Sequence, residues 1–128
     1  MPARRDLGRT PELSVVVPFY NPGDALRPTL ARLVSCLRDS GTTFEVLAVS
    51  DGSTDGSEQT IEGLADEVTV VVQPRNRGKG AALQRGLSMA TGTYVGFVDA
   101  DGDIDPAHLV DYLDRARRGN HEVVYASK

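Results

Sequence analysis

Runs of β-branched and other apolar residues alternate along this chain with segments whose apolar positions recur every three to four residues. The first run, residues 13–17, is Leu-Ser-Val-Val-Val and is predicted to end at Pro18. Over residues 24–39, Leu26, Leu30, Leu33, Val34 and Leu37 mark one face of a helix that Gly41 stops. Residues 44–49 read as a second strand. Thr54 or Asp55 would then cap a helix with Ile61, Leu64 and Ala65 on its apolar face. Residues 68–72 are a third strand. Residues 78–91 read as a helix carrying Ala82, Leu83, Leu87 and Ala90, with Gly92 just past its end. Residues 93–98 form a fourth strand. Asp105 caps and Pro106 opens the next helix, whose buried stripe is Leu109, Val110, Leu113 and Ala116. Arg115, Arg117 and Arg118 suit the negative end of its dipole, and Gly119 ends it. Residues 121–126 are a fifth strand. This alternation predicts an α/β fold: a Rossmann-like, mostly parallel sheet with helices on both faces. The strands are continuously apolar, as expected when both faces are covered.

Composition narrows the class. At 128 residues the chain fits one domain, set at residues 12–128 behind a flexible lead, residues 1–11. The lead holds Arg4, Arg5 and Arg9 with no apolar run after them, which excludes a signal peptide there. No run approaches the roughly 18 apolar residues of a membrane span, so a cytoplasmic setting is expected. A net charge of −4 without a basic, aromatic-studded stripe argues against nucleic acid. Cys36 is the single cysteine, read as a small packed residue beside a helix stripe. The chain stops directly after its fifth strand, which suggests a domain cut short and an unpaired sheet edge through which copies would form a homo-oligomer.

The candidate chemistry sits at the strand ends, where ligands of open α/β sheets collect. These ends read Pro18-Phe19-Tyr20-Asn21, then Ser50-Asp51-Gly52-Ser53-Thr54-Asp55, then Gln73 through Gly80, then Asp99-Ala100-Asp101-Gly102-Asp103. Asp99 and Asp101 are spaced i, i+2, so they lean to one side of an extended chain. Two like charges held together call for a cation, and Mg²⁺ or Mn²⁺ carrying a diphosphate would supply it. Asp51 is an acceptor suited to a base or ribose donor. Tyr20 offers a ring face for stacking. Arg75, Arg77 and Lys79 bring positive charge, and glycines flanking Lys79 allow close backbone approach.

Blander readings compete. Asp51 through Asp55 is a good turn and N-cap sequence, the preferred reading for Asp55. Asn76 through Gly80 would also suit a solvated turn, Tyr20 a core position, and Asp103 or Asp105 a helix cap. Asp99, Asp101 and Asp103 match the start of a calcium loop. Its sixth position, however, is Ile104 rather than Gly, and its twelfth is Val110 rather than Glu. The phosphate-loop pattern fails because Gly80 follows Lys79, and the dinucleotide fingerprint fails at Leu83. His108 and His121 have no metal-ligand spacing.

Taken in order, Val15 through Asn21, Asp51 through Gly56, Asn76 through Ala82 and Asp99-Ala100-Asp101 resemble the family 2 glycosyltransferases of GT-A fold. The nearest likeness is to the polyprenyl- or dolichyl-phosphate sugar transferases, over the first half of their catalytic domain. The resemblance implies a loop of Pro18, Tyr20 and Asn21 lining base and ribose, with Asp51 on the base. It places Lys79 near the nucleotide, Asp99 and Ala100 at it, and Asp99, Asp101 and Asp103 toward the metal. Lys128, in Ala126-Ser127-Lys128, stands where relatives carry an Arg for the acceptor phosphate. Ser50 replaces the first Asp of a common Asp-Asp-Gly-Ser. No residue is assigned as catalytic base. The implied function is transfer of a sugar from a UDP- or GDP-sugar, with Mg²⁺ or Mn²⁺, to an acceptor such as a polyprenyl phosphate at the cytoplasmic face of a membrane. The rival readings are a nucleotidyltransferase making nucleotide sugars, which would open with a Gly-rich first loop, and a non-catalytic nucleotide-sugar-binding fragment.

Overall fold

The computed structural model describes residues 10–100 and 105–119 in full and residues 123–125 as backbone. Five parallel strands form one sheet in the order β3-β2-β1-β4-β5. They are β1 Leu13–Phe19, β2 Phe44–Asp51, β3 Val68–Gln73, β4 Tyr94–Phe97 and β5 Val123–Tyr125. The order reverses direction at β1, so the crevice of a doubly wound sheet opens beyond the carboxyl ends of β1 and β4.

Every residue of β1 and β2 is buried, because helices cover both faces. On one face, α1 (Leu26–Asp39, entered through a 3₁₀ turn at Gly23–Ala25) and α4 (Pro106–Gly119) seal the larger core. Leu30, Leu33 and Leu37 meet Val15, Val17, Leu109 and Leu113 there. On the other face, α3 (Lys79–Met89) lies over Val16, Leu47 and Val49. Asp105 caps α4 as expected, its Oδ1 accepting the Ala107 amide at 3.0 Å. Arg117 reaches back from α4 to grip Glu12 with two bonds of 2.6 Å, tying the helix to the start of β1. Cys36 is half-buried, and burial raises its thiol pKa.

Besides shifts of one or two residues at element ends, the structure differs from the sequence expectation at four points. First, β1 runs through Pro18 to Phe19, with Pro18 registered against Val49. The Val16 carbonyl faces β4 and accepts from Val98. Pro18, two residues on, aims its missing N–H to that same side, where the ladder to β4 has ended, so no bond is lost. Second, the helix expected after Asp55 is only α2, Ser57–Thr60. Gly63 at φ +72° turns the chain, and Ile61, Leu64 and Ala65 reach the core from that turn. Third, Leu87 is exposed; Ala82 and Gly86 are the buried positions of α3, with Leu83 and Ala90 packed against the same core as expected. Fourth, α3 ends at Ala90 in an extended conformation, so Gly92 is no helix terminator. A Cβ on Gly92 would stand 2.6 Å from the Ser14 amide; it is there for close approach.

Gly86 is the point where α3 touches the sheet. A Cβ there would lie 2.4 Å from Val16 Cγ1. Alanine would gain about 1 kcal/mol of helix propensity. The overpacking cost of about 1–3 kcal/mol outweighs it. Gly86→Ala is therefore expected to lower the urea midpoint, and a raised midpoint would show that α3 can lift off without cost.

Candidate functional site

Four loops leave the carboxyl end of the sheet, and side chains stitch them together. The first two are joined through Asn21, which adopts φ +49°, a left-handed conformation that Asn tolerates. Its Oδ1 accepts the Thr54 amide at 2.7 Å, and its own amide donates to Ser53 Oγ at 3.0 Å. Asp55 completes the seam. Its Oδ2 accepts from the Gly23 amide at 2.9 Å and its Oδ1 from the Ser57 amide at 3.0 Å. Hydrogen bonding from Ser57, then from Gly23, holds this carboxyl below the usual range. Asp55 thus has the turn role preferred for it, while the residue at the N-cap of α2 is Gly56 rather than Thr54 or Asp55. Tyr20 stands at the seam with its ring half-exposed, not in the core. Pro18, expected in the loop, is buried inside β1 instead.

Ser50 is fully buried. Its hydroxyl donates to Glu58 Oε2 at 2.7 Å and accepts the Ser53 amide at 3.2 Å. This residue shapes the turn after β2, and a carboxylate from α2 comes to meet it.

Asp51 is only 4% exposed. Its Oδ1 accepts the Arg77 amide at 2.7 Å and Gln73 Nε2 at 3.1 Å; its Oδ2 accepts the Gly78 amide at 2.9 Å. The carboxylate that ends β2 therefore anchors the third loop through backbone. Gly52 (φ +75°) lies under that loop: a Cβ on it would stand 2.5 Å from the Asn76 amide nitrogen. The following residue, Lys79, opens α3 and places its ammonium on Asp99 Oδ1. Arg75 and Arg77 are exposed on the same loop. A continuous chain of contacts thus runs from Asp51 to Asp99, and the two carboxylates share one rim of the sheet.

Ala100 is buried in the larger core, so it can offer a ligand backbone only. Asp101, Asp103 and Lys128 lie outside the described residues. Among the described residues no group of three or more His, Cys, Asp or Glu gathers as a metal cluster. Among the described residues of the rim, Asp99 can offer a metal a hard oxygen ligand; its side chain is 30% exposed and already draws a cation. That chemistry fits Mg²⁺ or Mn²⁺. The contacts that sequence reasoning missed are Gln73 on Asp51, Glu58 on Ser50, and the Ser53 and Thr54 partners of Asn21. All join segments 8 to 33 residues apart in the chain, which no local spacing encodes.

Residues 14–128 match the family model for glycosyl transferase family 2, and the chain belongs to that family. A Synechocystis sp. protein named as an uncharacterized glycosyltransferase is 36% identical over 125 residues, covering 93% of this chain and 38% of its own length. The undecaprenyl-phosphate 4-deoxy-4-formamido-L-arabinose transferase of Pseudomonas paraeruginosa is 33% identical, covering 84% and 33%. Among solved structures, the mannosyltransferase PcManGT from Pyrobaculum calidifontis, in complex with GDP-Man and Mn²⁺, superposes with a TM-score of 0.62 at 32% identity. It covers 73% of this chain and 28% of its own. S. aureus TarS with UDP-GlcNAc gives 0.66 at 28% identity, covering 85% and 32%. The fold is thus the GT-A type expected. The chain spans about a third of the length of the curated relatives it matches. Among the described residues, no helix is long and apolar enough to cross a membrane.

Proposed function

We propose that this chain binds the donor in a metal-dependent sugar transfer, holding a UDP- or GDP-sugar across the strand ends. The observation that carries this reading is the stitched rim: Asn21 to Thr54, Asp51 to the Arg77 and Gly78 amides, and Lys79 to Asp99. Four segments far apart in sequence converge there, each with a type of group that a nucleotide sugar requires. Tyr20 gives the base a ring to stack on. Asp51 retains lone pairs for a base or ribose donor beside the amides it accepts. Lys79 and the start of α3 face the diphosphate with positive charge and amide donors. Asp99, joined by Asp101 and Asp103 from their place in the sequence, would hold Mg²⁺ or Mn²⁺. That ion offsets diphosphate charge and stabilises the departing nucleoside diphosphate when bound. The relatives' names support a polyprenyl-phosphate acceptor, and Lys128 is the residue proposed to meet its phosphate. A lipid acceptor would put the chemistry at the cytoplasmic face of a membrane.

Calorimetric titration with GDP-mannose, UDP-glucose and UDP-GlcNAc tests this reading. One donor is expected to bind with a dissociation constant on the order of 10 µM in Mn²⁺, and at least about tenfold more weakly in EDTA. Metal-independent binding would remove the metal from the proposal, and no heat from any donor would sink it.

A further inference from the structure

The loop between β3 and α3 is clamped at two points before it delivers Lys79. Asp51 holds it from below through the Arg77 and Gly78 amides, at 2.7 and 2.9 Å. Gly52 lets the Arg75–Asn76 peptide lie flat against the turn, because even one methyl group would stand 2.5 Å from the Asn76 nitrogen and 2.6 Å from the Arg75 carbonyl carbon. Gln73 braces the same carboxylate at 3.1 Å. Three cationic residues, Arg75, Arg77 and Lys79, ride on this loop and its exit. Lys79 is the one whose ammonium is seated on Asp99, although its side chain is 61% exposed. A long lysine side chain that free to move stays on one carboxylate only if its backbone is aimed there.

We propose that Asp51 and Gly52 are positioning residues for Lys79, holding its ammonium on Asp99 as a resident counter-cation that a divalent ion must displace. The inference rests on the donor-binding reading above and deepens it. An ammonium and a divalent ion compete for the same Asp99 oxygen. Binding of the ion frees Lys79 at the start of α3, beside the place where the diphosphate arrives. The phosphate oxygens then give the displaced ammonium a new partner. Ion and nucleotide therefore bind better together than apart, and by linkage each strengthens the other by the same factor. The Asp51 end of the site, which meets the base, is mechanically joined to the Asp99 end, which meets the phosphates.

The test measures Mn²⁺ alone binding to the 128-residue chain, with free ion read by electron paramagnetic resonance and no nucleotide present. Lys79→Met is expected to tighten Mn²⁺ about tenfold, since it removes both a competitor and a repelling charge. Gly52→Ala changes no charge but pushes the loop off its seat. It is expected to tighten Mn²⁺ about threefold when Lys79 is present, and to add nothing in the Lys79→Met background. If Gly52→Ala melts out, Asp51→Asn is read in its place. Loss of a nearby negative charge would by itself weaken Mn²⁺ binding, so tightening there points to a loosened Lys79. The proposal is overturned if the folded Gly52→Ala chain binds Mn²⁺ as the parent does, or if Asp51→Asn changes Mn²⁺ binding equally with Lys79 and in the Lys79→Met background. In that outcome the donor-binding reading survives, provided Mn²⁺-dependent nucleotide binding persists. If neither the parent nor Lys79→Met binds Mn²⁺, this proposal falls together with the metal in the functional reading.

Discussion

Glu45→Ala is expected to destabilise the domain by about 3 kcal/mol without touching the ligand end of the sheet. Glu45 is the second residue of β2 and is 6% exposed. Its Oε2 accepts from Ser14 Oγ at 2.6 Å, from the Thr91 amide at 2.8 Å and from Thr91 Oγ1 at 2.9 Å. Ser14 Oγ in turn accepts the Gly92 amide at 2.7 Å. One carboxylate oxygen thereby joins β1, β2 and the turn that leads α3 into β4. Alanine would leave the Ser14 hydroxyl, fully buried, without its acceptor, while Thr91 is exposed and water can serve it. The estimate therefore counts one buried orphan in full and a lesser loss at Thr91. For a chain of this size it corresponds to a fall in Tm of roughly 10 °C. Glu45→Gln keeps an oxygen for Ser14 and should cost about a third as much. Asp51 lies six residues further along β2, roughly 20 Å away, so nucleotide affinity of the folded protein should not change. Urea melts and a donor titration on the same samples check both halves. A midpoint shift worth less than about 1 kcal/mol would mean water replaces the carboxylate.

Glu45 also shows what the sequence could and could not tell. A lone acid in the run Phe44-Glu-Val-Leu-Ala-Val is visible as an anomaly, but its partners are 31 and 46 residues away. The strands and the main helices were legible because burial on two faces leaves an unbroken apolar run, and burial on one leaves a helical period. The α2 region was misread because three apolar residues at helical spacing also fit a turn, and the left-handed conformation of Gly63 decided between them. Pro18 was misread because a strand break depends on where the neighbouring ladder stops, which only register reveals.

The same division holds at the site. The topology brings together any residues that follow parallel strands, so the order of the four polar segments carried their convergence. Their hydrogen bonds were not legible. Asp51 reaches amides 26 and 27 residues ahead, and Asn21 reaches 33. Of the two readings weighed for Asp51, the hydrogen bonds bear out the turn chemistry: its buried carboxylate anchors the third loop through the Arg77 and Gly78 amides.

Asp99→Asn is expected to show the reverse of Glu45→Ala: a large loss of binding at nearly constant stability. Asp99 follows the end of β4 and is partly exposed, and its ion pair with Lys79 is a surface pair. Such pairs contribute about 0–1 kcal/mol. Thermal melts of Asp99→Asn should thus lie within about 2–4 °C of the parent, the shift that 1 kcal/mol produces. Binding should respond quite differently. In the proposed metal set, asparagine would keep one weak oxygen ligand but remove a full negative charge, and with it the hold on an ion that would offset the diphosphate. Donor affinity in Mn²⁺ is expected to fall about 100-fold, equivalent to about 2.7 kcal/mol. In EDTA the variant is expected to bind the donor at least as well as the parent, because loss of the Asp99 charge frees Lys79 for the diphosphate and removes a repelling carboxylate. That split separates a metal role from a direct nucleotide role. A loss of equal size with and without the ion would make Asp99 an acceptor for a ribose hydroxyl and move the metal to other groups. Parent-like binding in Mn²⁺ would remove Asp99 from the site.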